Sequence, residues 1–227
     1  KLLPARPMDA HKGTFGKALI VAGSANYTGA AVLAAKAAVR AGIGLVTLAV
    51  PSSLHSAIVP AIPEATYLLL PHNLGVINRH AASLVVKNSD AYSAILMGPG
   101  LNNTPESKAF VATLLNGSTH HRGTGFVTKD TGDAPSPSAR NLPPLVIDAD
   151  GLNLLTQVPD WPDRIPAMSV LTPHPGEMSR LTGLSTKEIQ ADRRDIAECS
   201  SREQQASSSS SIHSSASESW SRSCDTT

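Results

Sequence analysis

Cysteine is almost missing from this 227-residue chain: there are two, Cys199 and Cys224, and both fall in the last twenty-nine residues. A disulfide framework and a cysteine-held zinc site are therefore excluded from everything before them, and the usage fits a reducing, cytoplasmic compartment. Aromatics are scarce at 4%, so the core must be built from Val, Ile, Leu and Ala. Charge of either sign is nearly balanced, with a formal net charge of +1. Neither a nucleic-acid footprint nor a basic membrane-binding surface is predicted. No apolar run is long enough to span a bilayer, and no signal-peptide pattern is present. Lys1 rather than Met opens the chain, which leaves room for a preceding domain.

What is present is a hydrophobic fraction of 41%, arranged in short unbroken runs. They are 18–23 (ALIVAG), 45–50 (LVTLAV), 65–70 (ATYLLL), 94–98 (AILMG), 145–149 (LVIDA) and 168–172 (MSVLT). None alternates apolar with polar residues, so they predict strands of a parallel sheet buried on both faces. Between them, 30–41, 76–87, 104–116 and 185–198 carry helical signals. Residues 30–41 are alanine-rich and end at Gly42, suited to a left-handed cap. Thr104-Pro105-Glu106 is a helix start. The alternation implies an α/β fold with helices on both faces. Residues 117–143, rich in Gly, Pro and Ser, predict an exposed loop.

From Cys199 the composition changes in mid-helix. Thirteen of the last 29 residues are serine, and Ile212 and Trp220 are the only large apolar ones. Such a stretch cannot bury enough surface to offset its ordering entropy. The expectation is a folded domain over 1–198 and a disordered, Ser-rich tail over 199–227, translated out of frame.

In a parallel α/β sheet, ligands bind beyond the carboxyl ends of the strands. The first such turn is Gly23-Ser24-Ala25-Asn26-Tyr27-Thr28-Gly29-Ala30, where small residues let backbone approach a ligand and leave helix amides for an anion. The segment Gly13-Thr14-Phe15-Gly16-Lys17 is not a Walker loop, because its spacing is wrong and it precedes the strand. Gly98-Pro99-Gly100-Leu101-Asn102 is a rigid turn with bare backbone, without the third glycine of a dinucleotide fingerprint. Asp148-Ala149-Asp150-Gly151-Leu152-Asn153 offers two acids facing one side, fit for a metal, a hydroxyl or a helix N-terminus, with helix capping accounting for at least one. Asn153 opens the next helix. His174, between Pro173 and Pro175, is an imidazole with a fixed backbone at a strand's end, suited to hydrogen-bonding a substrate. His174 and Glu177 are spaced as a metal pair but lack a third ligand, and His120-His121 lie in the loop.

In this order, GKALIVAGSANYTGAAVLAAKAAVRAGIGLVTLAVP, AILMGPGL, LVIDADGLNLL and LTPHPGEMSRLTG closely resemble the ADP/ATP-dependent NAD(P)H-hydrate dehydratase family, the carboxy-terminal half of bifunctional NAD(P)H-hydrate repair enzymes. The resemblance covers residues 8–198. It implies a ribokinase-like, three-layer α/β fold with a mostly parallel central sheet, incomplete at its C-terminus. It also implies an activity. A nucleotide phosphorylates the ring hydroxyl of hydrated NADH or NADPH, and elimination restores the cofactor. ADP or ATP with Mg2+ are the implied cofactors, and NAD(P)H hydrate is the implied substrate. An N-terminal NAD(P)H-hydrate epimerase domain is the implied partner, and a homo-oligomer stays open. Carried over by motif, Ala30, Gly100 and His174 contact the hydrate, with Gly29, Gly98 and Asn153 beside them.

Two family features have no match. One is a later strand with a Lys-Gly segment for the nucleotide. The other is a Gly-Thr-Gly-Asp loop that supplies an anion hole and the catalytic aspartate. Gly123-Thr124-Gly125 and Thr131-Gly132-Asp133 lie too early in the chain to take that role. No catalytic residue is therefore assigned, and this chain is expected to be inactive as written. Two competing readings are a ribokinase-like kinase of a small alcohol such as a thiazole, and a catalytically dead dinucleotide-binding fragment.

Overall fold

The computed structural model describes residues 7–11, 13–116 and 142–207, with the side chains of 202–207 left aside. Six parallel strands form the central sheet in the order β3-β2-β1-β6-β7-β8. They are β1 (Lys17–Val21), β2 (Leu45–Pro51), β3 (Thr66–Leu70), β6 (Ala94–Met97), β7 (Leu145–Ile147) and β8 (Val170–Leu171). Each coincides with an apolar run of the sequence. Parallel neighbours cannot be joined by tight turns, so every connection crosses over the sheet.

The two directions of travel put helices on opposite faces, as right-handed crossovers require. Moving from β1 to β2 and β3, the chain passes through α1 (Thr28–Ala41) and α2 (His55–Ile58). Ala31, Ala35, Leu54 and Ile58 bury against Ile20, Val46 and Leu48. Moving from β6 to β7 and β8, it passes through α4 (Pro105–Asn116) and α5 (Asp150–Leu155). With α3 (Ala81–Ser89), these pack Val85, Phe110, Leu114 and Leu152 against Leu19, Val21, Ile95 and Ile147. Full burial of one such side chain contributes about 1.5–3 kcal/mol.

Local signals explain the element ends. Gly42 closes α1 at φ 88°, its amide donating to the Ala38 and Val39 carbonyls. Thr104 Oγ1 accepts the Ser107 amide at 3.3 Å before α4. Three expectations are corrected. The helix read over 76–87 begins only at Ala81, because Val76–Ile77 (β5) pairs antiparallel with His72–Asn73 (β4). Leu74 and Gly75, both at positive φ, make the turn of that hairpin. The helix read over 185–198 is two. After α6 (Pro175–Thr182), α7 (Thr186–Ala191) stops at Asp192, whose Oδ1 accepts the Asp195 amide and starts α8 (Arg193–Ser207). The helix therefore runs nine residues past the expected boundary at 198, and Ser200 in that stretch is buried. Residues 208–227 and 117–141, the latter most of the loop expected over 117–143, with His120, His121 and both Gly-Thr-Gly-like segments, lie outside the described residues.

The third correction concerns burial. Strands β1 and β2 are covered on both faces as predicted, but β3, β6, β7 and β8 are not. Ile95, Met97, Leu145 and Ile147 are buried, while Ala94, Leu96 and Val146 on the other face are only half-buried.

Candidate functional site

The carboxyl ends of β1, β6, β7 and β8 lie side by side along one edge of the sheet, and each is followed by a turn. The β1 turn is tied to the β6 turn by the Gly23 amide, which donates to the Pro99 carbonyl at 2.8 Å. Its far side rests on the β4–β5 hairpin, where the Ala25 amide donates to the Gly75 carbonyl at 2.9 Å. Tyr27 ends the turn, half exposed, and precedes α1 without a side-chain cap. The Ser24 hydroxyl lies fully buried beneath the turn and has no hydrogen-bond partner.

The β6 turn closes with the Leu101 amide donating to the Gly98 carbonyl at 3.1 Å. Proline followed by a glycine at φ 68° is the type II pattern. The two glycines face different neighbours. A β-carbon on Gly100 would lie 2.7 Å from Ala30 Cβ and 2.8 Å from Tyr27 Cβ. One on Gly98, at φ 132°, would lie 1.9 Å from the Asp148 carbonyl oxygen. Gly98 is thus a packing position between β6 and β7. Gly100 and Ala30 therefore lie close together. Gly29 beside them has no atom within 4 Å of an added β-carbon.

The β7 turn corrects the expectation for its two acids. Ala149 sits at φ 52°, ψ −123°, so the chain reverses between Asp148 and Asp150 and their carboxylates part. Asp148 Oδ1 accepts the Thr172 hydroxyl at 2.8 Å. Asp150 Oδ2 accepts the Asn102 amide at 2.9 Å. Neither caps α5, whose N-cap, Ala149, makes no side-chain capping bond. One acid joins β7 to β8 and the other pins the β6 loop. A non-glycine residue in that backbone region costs about 1–3 kcal/mol, a strain that clusters at functional turns.

His174 has a task that its sequence context concealed. It is the N-cap of α6: Nδ1 accepts the Gly176 amide at 3.0 Å, and Glu177 Oε2 accepts the His174 amide at 2.9 Å. With Nδ1 accepting, the neutral imidazole carries its proton on Nε2, which lies 3.3 Å from Glu177 Oε1. Glu177 is buried, while the imidazole stays mostly exposed. Asn153 is also engaged, its Oδ1 accepting from Arg180 Nη1 at 2.9 Å, which ties α5 to α6. Among the described residues no three His, Cys, Asp or Glu side chains group as a metal site.

The structure thus brings Ala30, Gly100 and Tyr27 together, and links Gly98 to Asp148 and Thr172. It gives His174 and Asn153 partners on or beside α6. Tyr27 is the residue that sequence reasoning left unassigned. Its signal was an aromatic between the two glycines of the first turn.

A family model described as NAD(P)H-hydrate dehydratase matches residues 18–208. The chain belongs to this family. Against the bifunctional NAD(P)H-hydrate repair enzyme of Moorella thermoacetica it is 36% identical over 205 residues, covering 90% of this chain and 34% of that one. Among solved structures it is similar to the ADP/ATP-dependent NAD(P)H-hydrate dehydratase of Bacillus subtilis, co-crystallised with ATP/Mg2+. That likeness has a TM-score of 0.60 at 31% identity and covers 89% of this chain and 60% of the other. A ribokinase-like superfamily protein of Enterococcus faecalis, at 22% identity and TM-score 0.59, shows the same fold over 89% of this chain and 58% of its own. The fold is ribokinase-like. The dehydratase match reaches residue 208, past the boundary at 198 and just beyond the end of α8. The chain spans about a third of the bifunctional relative and three fifths of the solved dehydratase.

Proposed function

We propose that this chain carries the dinucleotide-hydrate half of an NAD(P)H-hydrate dehydratase site. The carrying observation is the contact between Ala30 and Gly100, two motif-assigned residues distant in sequence and brought together beyond the carboxyl ends of β1 and β6. A ligand chain can lie close along Gly29, Ala30 and Gly100, where no long side chain intervenes. Tyr27 offers an exposed ring face beside them, and aromatic faces take flat rings. The His174 Nε2–H is the donor at the β8 end, shared with Glu177 unless a substrate oxygen takes it.

The reaction proposed is loss of water from the hydrated nicotinamide ring. The hydroxyl leaves one carbon as phosphate after phosphorylation, a proton leaves its neighbour, and the ring double bond returns. ADP or ATP is the proposed phosphoryl donor, with Mg2+. Neither the aspartate base nor the anion-hole loop of the family's pattern has a match in this sequence. The described residues do not form a metal cage, so any Mg2+ would be held chiefly by nucleotide phosphates. The residues of this chain bind and orient; positioning is the larger part of phosphoryl transfer. An NAD(P)H-hydrate epimerase domain ahead of this one is the proposed partner, supported by the bifunctional relatives. A homo-oligomer and a cytoplasmic setting are proposed with it.

The test is equilibrium binding of NADH hydrate and NADPH hydrate to the purified chain, beside absorbance at 340 nm with ADP or ATP. Binding that exceeds that of intact NADH, without growth of absorbance, is the expected result. Equal affinity for hydrate and NADH, or no binding, would refute the substrate assignment.

A further inference from the structure

Every polar atom of His174 except Nε2 is hydrogen-bonded within the start of α6. Its amide donates to Glu177 Oε2 at 2.9 Å, its carbonyl accepts the Met178 amide at 2.9 Å, and Nδ1 accepts the Gly176 amide at 3.0 Å. Nε2 lies 3.3 Å from Glu177 Oε1, longer than the usual N–H···O bond. The imidazole is nevertheless 63% exposed, while the Glu177 side chain is 7% exposed. An exposed ring ordinarily keeps its rotamer freedom. Here Gly176 defines where it can lie. A β-carbon on that glycine would stand 2.9 Å from His174 Cε1 and 3.3 Å from Nδ1. The ring thus rests over bare backbone in the first turn of α6, at a position where alanine is the better helix former.

Capping alone explains neither neighbour. Ser, Thr, Asp or Asn caps a helix with one short side chain, and burying a carboxylate is costly unless it is paired. What this arrangement supplies, and a hydroxyl cap does not, is an imidazole held in one tautomer. The Gly176 amide keeps Nδ1 an acceptor. The Glu177 carboxylate beside Nε2 then favours the proton there.

We propose that Glu177 and Gly176 are positioning residues for His174. Glu177 keeps the ring proton on Nε2, and Gly176 leaves the space in which the ring holds a single orientation. The lock is a property of the free chain. Its consequence for the ligand rests on the reading of His174 as a hydrate-binding residue: the β8 end of the site presents a fixed donor and takes an acceptor oxygen of the hydrate. Neither Glu177 nor Gly176 has to touch the ligand to do this.

The experiment reads the His174 tautomer in the full 227-residue chain by long-range proton–nitrogen NMR, at pH about 8.5, where an unperturbed imidazole is neutral. The signal is assigned by its loss in His174→Asn. The wild type should show the proton on Nε2. Glu177→Gln keeps an oxygen for the His174 amide but sets an NH2 group against Nε2–H, so the proton should move to Nδ1 or the ring should average between tautomers. In Gly176→Ala the new methyl meets only the far end of a side chain. The melting temperature should hold or rise while the ring is displaced from the Gly176 amide. Both variants should bind NADH hydrate about tenfold more weakly. A merely structural role predicts the reverse, a lower melting temperature with tautomer and affinity unchanged. An Nε2–H tautomer kept in both variants would overturn the lock. Hydrate affinity kept in a variant whose ring has moved would overturn its link to the ligand. A wild type that binds no hydrate would refute the proposed function, and the tautomer signals would still decide the lock.

Discussion

Gly100 and Ala30 touch so closely that a β-carbon on the glycine would stand 2.7 Å from that of the alanine. Gly100 sits on the turn after β6 and Ala30 in the first turn of α1, so their contact fixes the distance between the two elements. Gly100→Ala must move α1 and also hold a side chain at φ 68°, so a loss of about 1–3 kcal/mol in denaturant unfolding is expected. Gly29 is the control. It faces open space in the first turn of α1, and Gly29→Ala should raise stability by about 0.5–1 kcal/mol. If the ligand backbone runs over this position, the same substitution weakens hydrate binding. A variant that is more stable and binds as before would remove Gly29 from the site.

Two roles for His174 separate by substitution. His174→Ala removes the cap of α6 and should cost about 1 kcal/mol. His174→Asn keeps a capping oxygen and discards the imidazole, so it should recover most of that stability. Titration with NADH hydrate then decides: His174→Asn binding more weakly by about tenfold assigns the Nε2–H to the substrate, and unaltered affinity confines the residue to capping.

Ser185 and Glu188 make the same reciprocal box at the start of α7. Hydrogen bonding to the Ser185 side chain, and then to its amide, holds the Glu188 carboxyl below its usual value of 4.5. A depressed carboxylate stabilises the fold above its unfolded-state value, and that contribution fades as pH falls through the folded one. Protonation of Glu188 as pH falls should therefore loosen the start of α7. In Ser185→Ala, a carbon-detected NMR titration should find the Glu188 midpoint moved up toward 4.5; an unmoved midpoint would show the hydroxyl to be incidental.

Strand positions were legible because each is an unbroken apolar run, but how they are covered was not. AILM and LVI look alike whether one face or two is covered, and only the placement of α1 shows that Leu96 and Val146 lack a full cover. The β4–β5 hairpin escaped notice because Leu74 takes a left-handed position that usually belongs to Asn or Gly. In the site, the glycine turns were readable one by one. The apposition of Gly100 with Ala30 was not, since it depends on β1 pairing with β6 across the intervening chain. The His-Pro-Gly-Glu start of α6 hid its capping box because histidine stands where Ser, Thr or Asp is the familiar acceptor. Asp148 and Asp150 were placed on one side by assuming strand geometry through Ala149, where the backbone instead reverses.

Strand β1 and the residue after it give alternate side chains to two separate cores, Leu19 and Val21 to one and Ile20 and Ala22 to the other. The strand is also hydrogen-bonded on both sides, to β2 and to β6. Loosening either half of the domain still leaves its amides held from the other, so they exchange with solvent hydrogen only when the whole unit opens. The Gly23–Ala30 segment is thus moored to a strand held from both sides, and a ligand of the kind proposed at Ala30 would meet a surface fixed before it arrives.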